Sequence, residues 1–287
     1  MAYSSICIIG MGLLGGSLGM ALKQRGLARR VVGVARRPEA LERARELGSI
    51  DEGGLDATAA VAGADLTFLC VPVLAITRLL PLLAPHVRAG GVVTDVGSTK
   101  TAIVDAGESV LPGRFLGGHP MAGSEQAGIE GADPLLFEGA TWALTPGEAS
   151  APVEPLSELI TGLGARPLLL PPEEHDRAVA ATSHLPHATA AALARVVADA
   201  LGEAEAAARL AAGSYRDTTR VAASSPELWR DVCLTNREPI LAALGRMQGY
   251  LAELAEALRQ DDVVAVERFF RQGREAKARM ESARRKG

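Results

Sequence analysis

The stretch ICIIGMGLLGGSLGMAL, residues 6–22, limits what this chain can fold into more than any other stretch. An apolar run is followed by glycines at positions 10, 12 and 15, and then by apolar residues at helical spacing. In a strand–turn–helix unit, the first glycine permits a tight turn and the third lets helix and strand pack closely. The second lets the backbone approach a pyrophosphate at the helix N-terminus. The stretch therefore predicts a dinucleotide site with contacts from Gly10, Gly12, Leu13, Leu14 and Gly15.

Neither the flanks of this apolar stretch nor the composition of the chain indicates a signal or membrane segment. No basic region precedes the run, and several glycines interrupt it. Hydrophobic residues make up 48% of the chain and the net charge is −4, which fits a globular protein without a nucleic-acid or anionic-membrane partner. The cysteines number 3 and lack metal-site spacing, so we expect reduced thiols in a cytoplasmic protein.

Two different periodicities divide the chain near residue 171. Before it, apolar runs alternate with helical patterns, which predicts a Rossmann-type α/β fold with a doubly wound, mostly parallel sheet. The predicted strands lie at 5–10, 31–35, 65–72, 92–98, 115–119, 141–146 and 166–171. After Pro171, prolines followed by acidic residues start a helix, and the remainder is typical of helices rich in Ala and Leu. We therefore expect a dinucleotide-binding domain over 1–171 and a helical substrate and dimerisation domain over 172–287, forming a homodimer.

The end of the second predicted strand indicates which dinucleotide binds. The fingerprint expects an acidic residue there to hold the adenosine ribose 2′-hydroxyl, but Ala35 occupies that position. Arg36 and Arg37 follow, and guanidinium groups bind a 2′-phosphate through charge-assisted hydrogen bonds. The sequence therefore favours NADP as the cofactor and leaves NAD possible, with Arg36, Arg37 and Pro72 completing the predicted contacts. Two solvated loop arginines are the alternative interpretation.

Several motifs farther along the chain share their order and spacing with one enzyme family. They are TDVGSTK (94–100), GGHPMAGSE (117–125), SHLPH (183–187), GSYRDTTRVA (213–222) and PELWRDVCLTN (226–236). Together with the glycine fingerprint, they resemble the prephenate dehydrogenase family of tyrosine biosynthesis, which includes arogenate and cyclohexadienyl dehydrogenases. The resemblance covers nearly the whole chain and implies the stand-alone form, without a chorismate mutase or ACT domain. It implies oxidative decarboxylation of prephenate to 4-hydroxyphenylpyruvate, with hydride transfer to NAD(P)+.

The resemblance assigns the catalytic chemistry to two residues. His119 matches the family's catalytic histidine, and an imidazole with an ordinary pKa of ~6.5 can accept the proton of the substrate hydroxyl at neutral pH. His119 ends a predicted strand at the carboxyl edge of the sheet, where ligands bind in open α/β folds. Ser98 matches a serine that helps to orient the same hydroxyl and His119. The alternatives are a buried histidine that closes a loop and an ordinary turn serine.

The expected substrate contacts follow from the resemblance alone. Arg220 matches the arginine that holds the ring carboxylate, and His187 matches the residue that reaches the pyruvyl side chain. Glu125 matches an acidic residue that gates the pocket. Gly213 and Trp229 match positions that approach the active site across the dimer. The alternatives are a salt bridge for Arg220, a surface ion pair for Glu125 and a core position for Trp229.

Other functions remain open from the sequence. Arogenate dehydrogenase would act on a substrate with an amino group in place of the keto group, and Glu125 would attract that ammonium. A β-hydroxyacid dehydrogenase or imine reductase usually carries a catalytic lysine or acid on the interdomain helix. A cofactor-sensing dimer without turnover would not need His119 and Arg220 together. Tyrosine, which resembles the product, is a candidate inhibitor, and metal binding by the HxxH of SHLPH is disfavoured because no acidic or cysteine ligand accompanies it.

Overall fold

The computed structural model of the chain describes residues 3–123, 128–201 and 206–286, and one eight-stranded sheet organises its first part. The strands are β1 (Ile6–Ile9), β2 (Val31–Val34), β3 (Glu52–Gly54), β4 (Leu66–Leu69), β5 (Val92–Asp95), β6 (Phe115–Pro120), β7 (Thr141–Thr145) and β8 (Arg166–Leu169). They lie in the order β3-β2-β1-β4-β5-β6-β7-β8. All neighbouring strands are parallel except β6 and β7, which are antiparallel. This confirms the predicted α/β fold with a doubly wound, mostly parallel sheet.

Helices connect the strands and form the chain after β8. The first group is α1 (Leu13–Gln24), α2 (Pro38–Glu46), α3 (Ala57–Ala62), α4 (Val73–Leu83), α5 (Thr101–Val110) and α6 (Val153–Gly162). The second is α7 (Pro172–Val179), α8 (Leu185–Leu201), α9 (Ala206–Leu210), α10 (Gly213–Thr219), α11 (Pro226–Thr235), α12 (Arg237–Arg259) and α13 (Val263–Lys286). A π-helical turn (Ala180–His184) joins α7 to α8, and a short 3-10 helix (Arg220–Ala223) follows α10. Within the described ranges, no helix is long and apolar enough to cross a membrane.

The central strands are buried on both faces, which explains why they read as continuous apolar runs. In β1, Ile8 lies in a core cluster with Leu18 of α1, whereas Ile9 lies in a second cluster with Ile76 of α4. Successive side chains of a strand leave the sheet on opposite faces, so each face needs its own layer of helices. Because β1, β4, β5 and β6 are parallel to one another, their carboxyl ends lie along one edge of the sheet.

Two features of the fold differ from the sequence-based expectation. The sequence does not predict β3, because Glu52–Gly54 carries no apolar side chain and pairs only with β2 at the edge of the sheet. The chain divides into two compact units, Met1–Arg237 and Glu238–Gly287, because α7 packs against α5 and β7, and α11 packs against α4. The domain boundary expected after residue 171 is a different division and stays a prediction.

The turn between β1 and α1 leaves no room for a side chain at two positions. Gly10 has a φ of 107°, in the left-handed region that favours glycine, and a Cβ there would lie 2.2 Å from the carbonyl oxygen of Cys70. A Cβ on Gly15 would lie 1.9 Å from the carbonyl oxygen of Gly10. Helix α1 can therefore begin this close to β1 only because both residues are glycines.

Replacing Gly15 by alanine should destabilise the fold. Because the added methyl group collides with backbone rather than with a flexible side chain, we expect the free energy of unfolding to fall by ~1–3 kcal/mol, the usual cost of overpacking. Gly63→Ala is the matched control, since its Cβ would meet only one atom, at 4.0 Å. Urea denaturation of both variants checks this, and equal stability of Gly15→Ala and the unmodified protein would contradict it.

Candidate active site

The predicted cofactor residues lie where the direction of the sheet's crossovers changes. β1 stands between β2 and β4. From β1 the chain continues to β2 and β3 on one side, and it then crosses to β4 on the other side. Ligands bind in the crevice at such a point. Helix α1 begins there with Gly12 as its N-cap, and no side chain caps it. A Cβ on Gly12 would meet nothing within 4 Å, so open space lies beside the backbone N–H groups of the helix. This turn fits the pyrophosphate of a dinucleotide.

The arginines predicted to choose the cofactor flank the same crevice. Arg36 and Arg37 follow Ala35 at the end of β2, the neighbour of β1, and both side chains are exposed. Ala35 is half-buried, and its N–H donates to the carbonyl of Gly54 on the neighbouring strand. Pro72 lies just after β4 on the other side of β1 and is the N-cap residue of α4. These positions are open to a ligand, but the geometry does not choose between NADP and NAD.

His119 lies half-buried one residue before the end of its strand, and another histidine contacts its ring. It lies in β6, and its Nδ1 atom is 2.8 Å from Nε2 of His175 in α7. The ring centroids are 5.0 Å apart, with the rings inclined at 66°. Ser98, three residues beyond β5, is also half-buried, but in the described part of the chain its hydroxyl makes no hydrogen bond to His119. The imidazole is therefore oriented by a residue that the sequence analysis did not single out.

A buried ion pair supports the strand ends behind His119. The carboxylate of Asp95 accepts hydrogen bonds from the N–H groups of Gly97 (2.7 Å) and Gly118 (3.1 Å). The ammonium of Lys100 contacts the same carboxylate and donates to the carbonyl of Gly118 (2.7 Å). Both charged side chains are fully buried, so each depends on the other. Together they join the end of β5 to the residue that precedes His119.

Asp176 anchors the histidine that contacts His119. Its Oδ1 atom accepts from the N–H of Lys100 (2.7 Å) and lies 2.9 Å from Nδ1 of His175. Its Oδ2 atom accepts from the N–H (2.9 Å) and the hydroxyl (2.7 Å) of Thr101. Burial works to raise the pKa of Asp176, but the hydrogen bonds from His175, Thr101 and Lys100 outweigh it and lower the pKa. The side chain is therefore a buried carboxylate with several donors.

His175 and Asp176 are functional candidates that the sequence analysis missed. They lie in PPEEHDRAV, which reads only as a helix start, and no spacing motif links them to His119. The one available signal was a histidine beside an acid at the beginning of the helix that follows the last strand. Such a pair becomes a functional candidate only because the fold brings α7 over the edge of the sheet, next to His119.

The π-helical turn places two further histidines beside a tryptophan. His184 is buried, and its Nδ1 atom is 3.1 Å from the side-chain amide nitrogen of Asn236. His187 places its Nδ1 atom 2.9 Å from the carbonyl of Ser183. Its ring stacks on Trp229 at a centroid distance of 3.9 Å, and the buried Nε1 of Trp229 has no hydrogen-bond partner among the described residues. π-helical turns occur often at functional sites, and this one lies just before His187, which stacks on Trp229.

The surroundings of His119 keep its imidazole neutral. Burial, together with the neighbouring His175, Lys100 and His184, lowers the pKa of His119 well below 6.5. Burial also lowers the pKa of His184 to about 4, although Asp176 opposes the shift. A neutral imidazole has one nitrogen with a lone pair, so at neutral pH His119 can accept a proton.

The remaining predicted residues lie in the helices after β8 or outside the described residues. Arg220 is exposed at the start of the 3-10 helix, which packs against α8. Gly213 begins α10, and a Cβ there would meet nothing within 4 Å. Glu125 lies outside the described residues. Across residues 3–123, 128–201 and 206–286, no group of three or more His, Cys, Asp or Glu side chains is placed to hold a metal ion.

Comparison with known proteins connects the chain to one family. The family model described as "Prephenate dehydrogenase, nucleotide-binding domain" matches residues 18–169. The model described as "Prephenate dehydrogenase, dimerization domain" matches residues 171–272. The chain is 36% identical to the prephenate dehydrogenase of Bacillus subtilis, over 93% of this chain and 73% of that protein.

Solved structures share this fold over nearly the whole chain. The prephenate dehydrogenase of Aquifex aeolicus, in complex with hydroxyphenyl propionate and NAD+, has a TM-score of 0.90 at 29% identity, covering 98% of this chain and 99% of that one. The arogenate dehydrogenase of Synechocystis has a TM-score of 0.80 at 34% identity, covering 96% of this chain and 99% of that one. The two structures are named for different substrates, although both share this fold.

The open space beside Gly12 leads to a prediction about cofactor binding. Gly12→Ala should leave the free energy of unfolding within ~0.5 kcal/mol of the unmodified protein, because the methyl group meets nothing. The methyl group should nevertheless keep the pyrophosphate from the helix N-terminus and raise the Kd for NADP+ and NAD+ by at least ~10-fold. Calorimetric titration together with urea denaturation measures both effects. Unchanged affinity for both cofactors would mean that the dinucleotide does not approach this turn.

Proposed function

This chain belongs to the prephenate dehydrogenase family, and we infer that it converts prephenate to 4-hydroxyphenylpyruvate by oxidative decarboxylation in tyrosine biosynthesis. One observation carries this function: His119 is held by a second histidine and lies along the same sheet edge as the glycine turn of the cofactor site, and burial lowers the pKa of its imidazole. That arrangement supplies a proton acceptor beside a dinucleotide site.

The reaction determines which chemical groups the protein must provide. The substrate hydroxyl loses its proton while the carbon that bears it loses a hydride. The bond to the ring carboxylate then breaks, CO2 leaves, and its electron pair makes the ring aromatic. The resulting phenolate takes one proton back, so no net proton is released. When bound, the nicotinamide supplies the acceptor for the hydride.

His119 is the proposed general base. It accepts the hydroxyl proton on Nε2 because Nδ1 faces His175. The imidazolium formed in this way can return the proton to the phenolate oxygen. Ser98 follows the neighbouring strand at the same edge, and we assign it the orientation of the hydroxyl. A well-placed general base contributes roughly 10²–10⁴-fold to the rate.

We assign the rest of the substrate to the helical residues. Arg220 is the proposed partner of the ring carboxylate, since a guanidinium binds a carboxylate through two parallel hydrogen bonds. His187 and Trp229, which stack on each other, are proposed for the pyruvyl side chain, and the buried N–H of Trp229 is an available donor. We assign the other two positions of the pocket to Gly213, which approaches the substrate closely, and to Glu125, which gates the pocket. A match to a dimerization domain supports a homodimer, in which such residues can approach across the interface.

Arogenate is the second candidate substrate. The similarity to the arogenate dehydrogenase of Synechocystis favours it, since that structure shares 34% identity with the chain. The two substrates differ only in a keto or amino group on the side chain. We propose prephenate as the main substrate because the prephenate dehydrogenase of Bacillus subtilis shares 36% identity. Tyrosine, which resembles the product, is the proposed competitive inhibitor.

We further propose that NADP is the preferred cofactor and that the enzyme works in the cytoplasm. The exposed Arg36 and Arg37 beside the cofactor crevice support NADP, because either guanidinium can bind a 2′-phosphate. NAD stays the alternative, as the Aquifex aeolicus structure holds NAD+. The three free thiols, Cys7, Cys70 and Cys233, would stay reduced in the cytoplasm.

A direct assay tests the function and the role of His119. Mixing the protein with prephenate or arogenate and either NADP+ or NAD+ should produce absorbance of the reduced cofactor, fastest with prephenate. His119→Asn should lower kcat by at least ~10²-fold, because it removes the proton acceptor, while the Kd for the cofactor stays nearly unchanged. Absence of turnover in all four combinations refutes the proposed function. A wild-type kcat in the variant would instead leave His119 with a structural role only.

Cofactor preference is tested by rebuilding the end of β2. The double substitution Ala35→Asp and Arg36→Ser supplies a carboxylate for the ribose hydroxyl and removes one cation from the 2′-phosphate. We expect the ratio of kcat/KM for NADP+ to that for NAD+ to fall by at least ~10-fold, since charge-assisted hydrogen bonds are lost. Arg45→Ser, farther along α2, is the matched control for the loss of one positive charge. If the unmodified enzyme already prefers NAD+, the argument from the arginines is wrong.

A further inference from the structure

The proposed mechanism uses His119 but leaves two buried neighbours without a role. His175 and Asp176 are each at most 3% exposed, and they continue a line of hydrogen bonds that starts at the base. The distances are 2.8 Å from His119 Nδ1 to His175 Nε2 and 2.9 Å from His175 Nδ1 to Asp176 Oδ1. Two histidines and a buried carboxylate in line determine where protons can lie.

The proton positions follow from the carboxylate end of this line. Asp176 is surrounded by donors, two backbone N–H groups and the hydroxyl of Thr101, so its oxygens act as acceptors. An oxygen that accepts at 2.9 Å requires the proton of His175 to be on Nδ1. With this as its only ring proton, His175 holds a lone pair on Nε2, which then accepts.

The position of the proton on His175 determines the position of the proton on His119. Because His175 Nε2 accepts, His119 Nδ1 must carry the proton that joins the two rings at 2.8 Å. The lone pair of neutral His119 is then on Nε2. In the other tautomer, Nε2 would carry a proton and could not accept one from a substrate.

We propose that Asp176 and His175 form a buried relay that holds His119 in the tautomer with a basic Nε2 and stabilises its imidazolium after proton transfer. The relay rests on the proposed function, in which His119 is the base. His175 and Asp176 are positioning residues, because they act through His119 and not on the substrate. The proton accepted from the hydroxyl forms a bond to Nε2, and Nδ1 keeps its proton as the donor to His175.

Charges around His119 explain why such a relay is needed. The groups that face it are Lys100 after β5, His175 in α7 and His184 in the π-helical turn; burial, first of all, and the ammonium of Lys100 disfavour a positive charge on its ring. Asp95 faces Lys100 and already forms its ion pair. Asp176 is the negative group that reaches the base, through the ring of His175. Without it, the imidazolium would form in a buried site surrounded by cationic and neutral groups.

A spectroscopic measurement tests the tautomer without turnover. Long-range ¹H–¹⁵N spectra of the protein with ¹⁵N-labelled histidine distinguish a ring protonated on Nδ1 from one protonated on Nε2, and His119→Asn identifies the signal of His119. We expect the proton on Nδ1 in the unmodified protein and a mixture of tautomers in His175→Phe. A proton on Nε2 in the unmodified protein overturns the relay.

Kinetics test whether the relay matters for the reaction. His175→Phe keeps a ring but offers no acceptor, so kcat should fall by at least ~10-fold, a part of the full contribution of a general base. His175→Gln places an amide oxygen where it can accept from His119 and should recover part of that loss. Asp176→Asn removes the negative charge, so the acid limb of the kcat–pH profile should move to lower pH. If His175→Phe does not fold, His175→Gln and Asp176→Asn decide the outcome.

A control separates the relay from ordinary stability. Asp65→Asn removes an ion pair with Arg88 just before β4, at the edge of the sheet opposite His119, so its melting temperature should fall while kcat and the pH profile stay near those of the unmodified enzyme. If the unmodified enzyme turns over prephenate and His175→Phe matches its kcat, the relay is wrong and the function stands. If the unmodified enzyme turns over no substrate, the function is wrong, and the tautomer spectra still decide the relay.

Discussion

The carboxylate of Asp176 is the interaction on which the rest of the active site depends. It accepts hydrogen bonds from the N–H groups of Lys100 and Thr101, where α5 begins and where no side chain of its own caps the helix. A negative group is favoured at that position, because the N-terminus of a helix presents unpaired donors and a positive dipole end. The same carboxylate fixes His175, and its backbone carbonyl accepts from Asn236 at the end of α11. One helix cap therefore also places α7 over the edge of the sheet.

A second buried charge fixes the sheet side of the site. Asp95 and Lys100 have no contact with solvent, and removing one partner of such a pair usually costs ~3–5 kcal/mol. Their hydrogen bonds to Gly118 hold the strand just before His119. Asp176 and Asp95 thus act from opposite sides of the base, one through a neighbouring ring and one through the backbone. Asp176 thus supports the ring of His119, and Asp95 supports the strand that carries it.

The parts of the site that the sequence predicts well are those whose chemistry is local. Gly10, Gly12 and Gly15 can be assigned from their spacing, because the turn, the phosphate approach and the helix packing all lie within one strand–turn–helix unit. β3 was not predictable in this way, since its residues have no apolar pattern and pairing with β2 alone makes them a strand. His175 was not predictable either, as its role needs a partner that lies 56 positions away in the chain.

The sequence by itself determined the fold class and, through its resemblance to one family, the reaction, and it predicted the cofactor turn and His119 as the base. These follow from the periodicity and the order of the motifs, which are properties of the linear sequence. Only the tertiary structure decided what holds the base. Asp176 and His175 reach His119 because α7 packs across β7 and α5, and a hydrogen bond forms only when donor and acceptor lie within about 3 Å of each other. No pattern along the chain encodes that distance, so the tautomer of the base is a property of the folded protein.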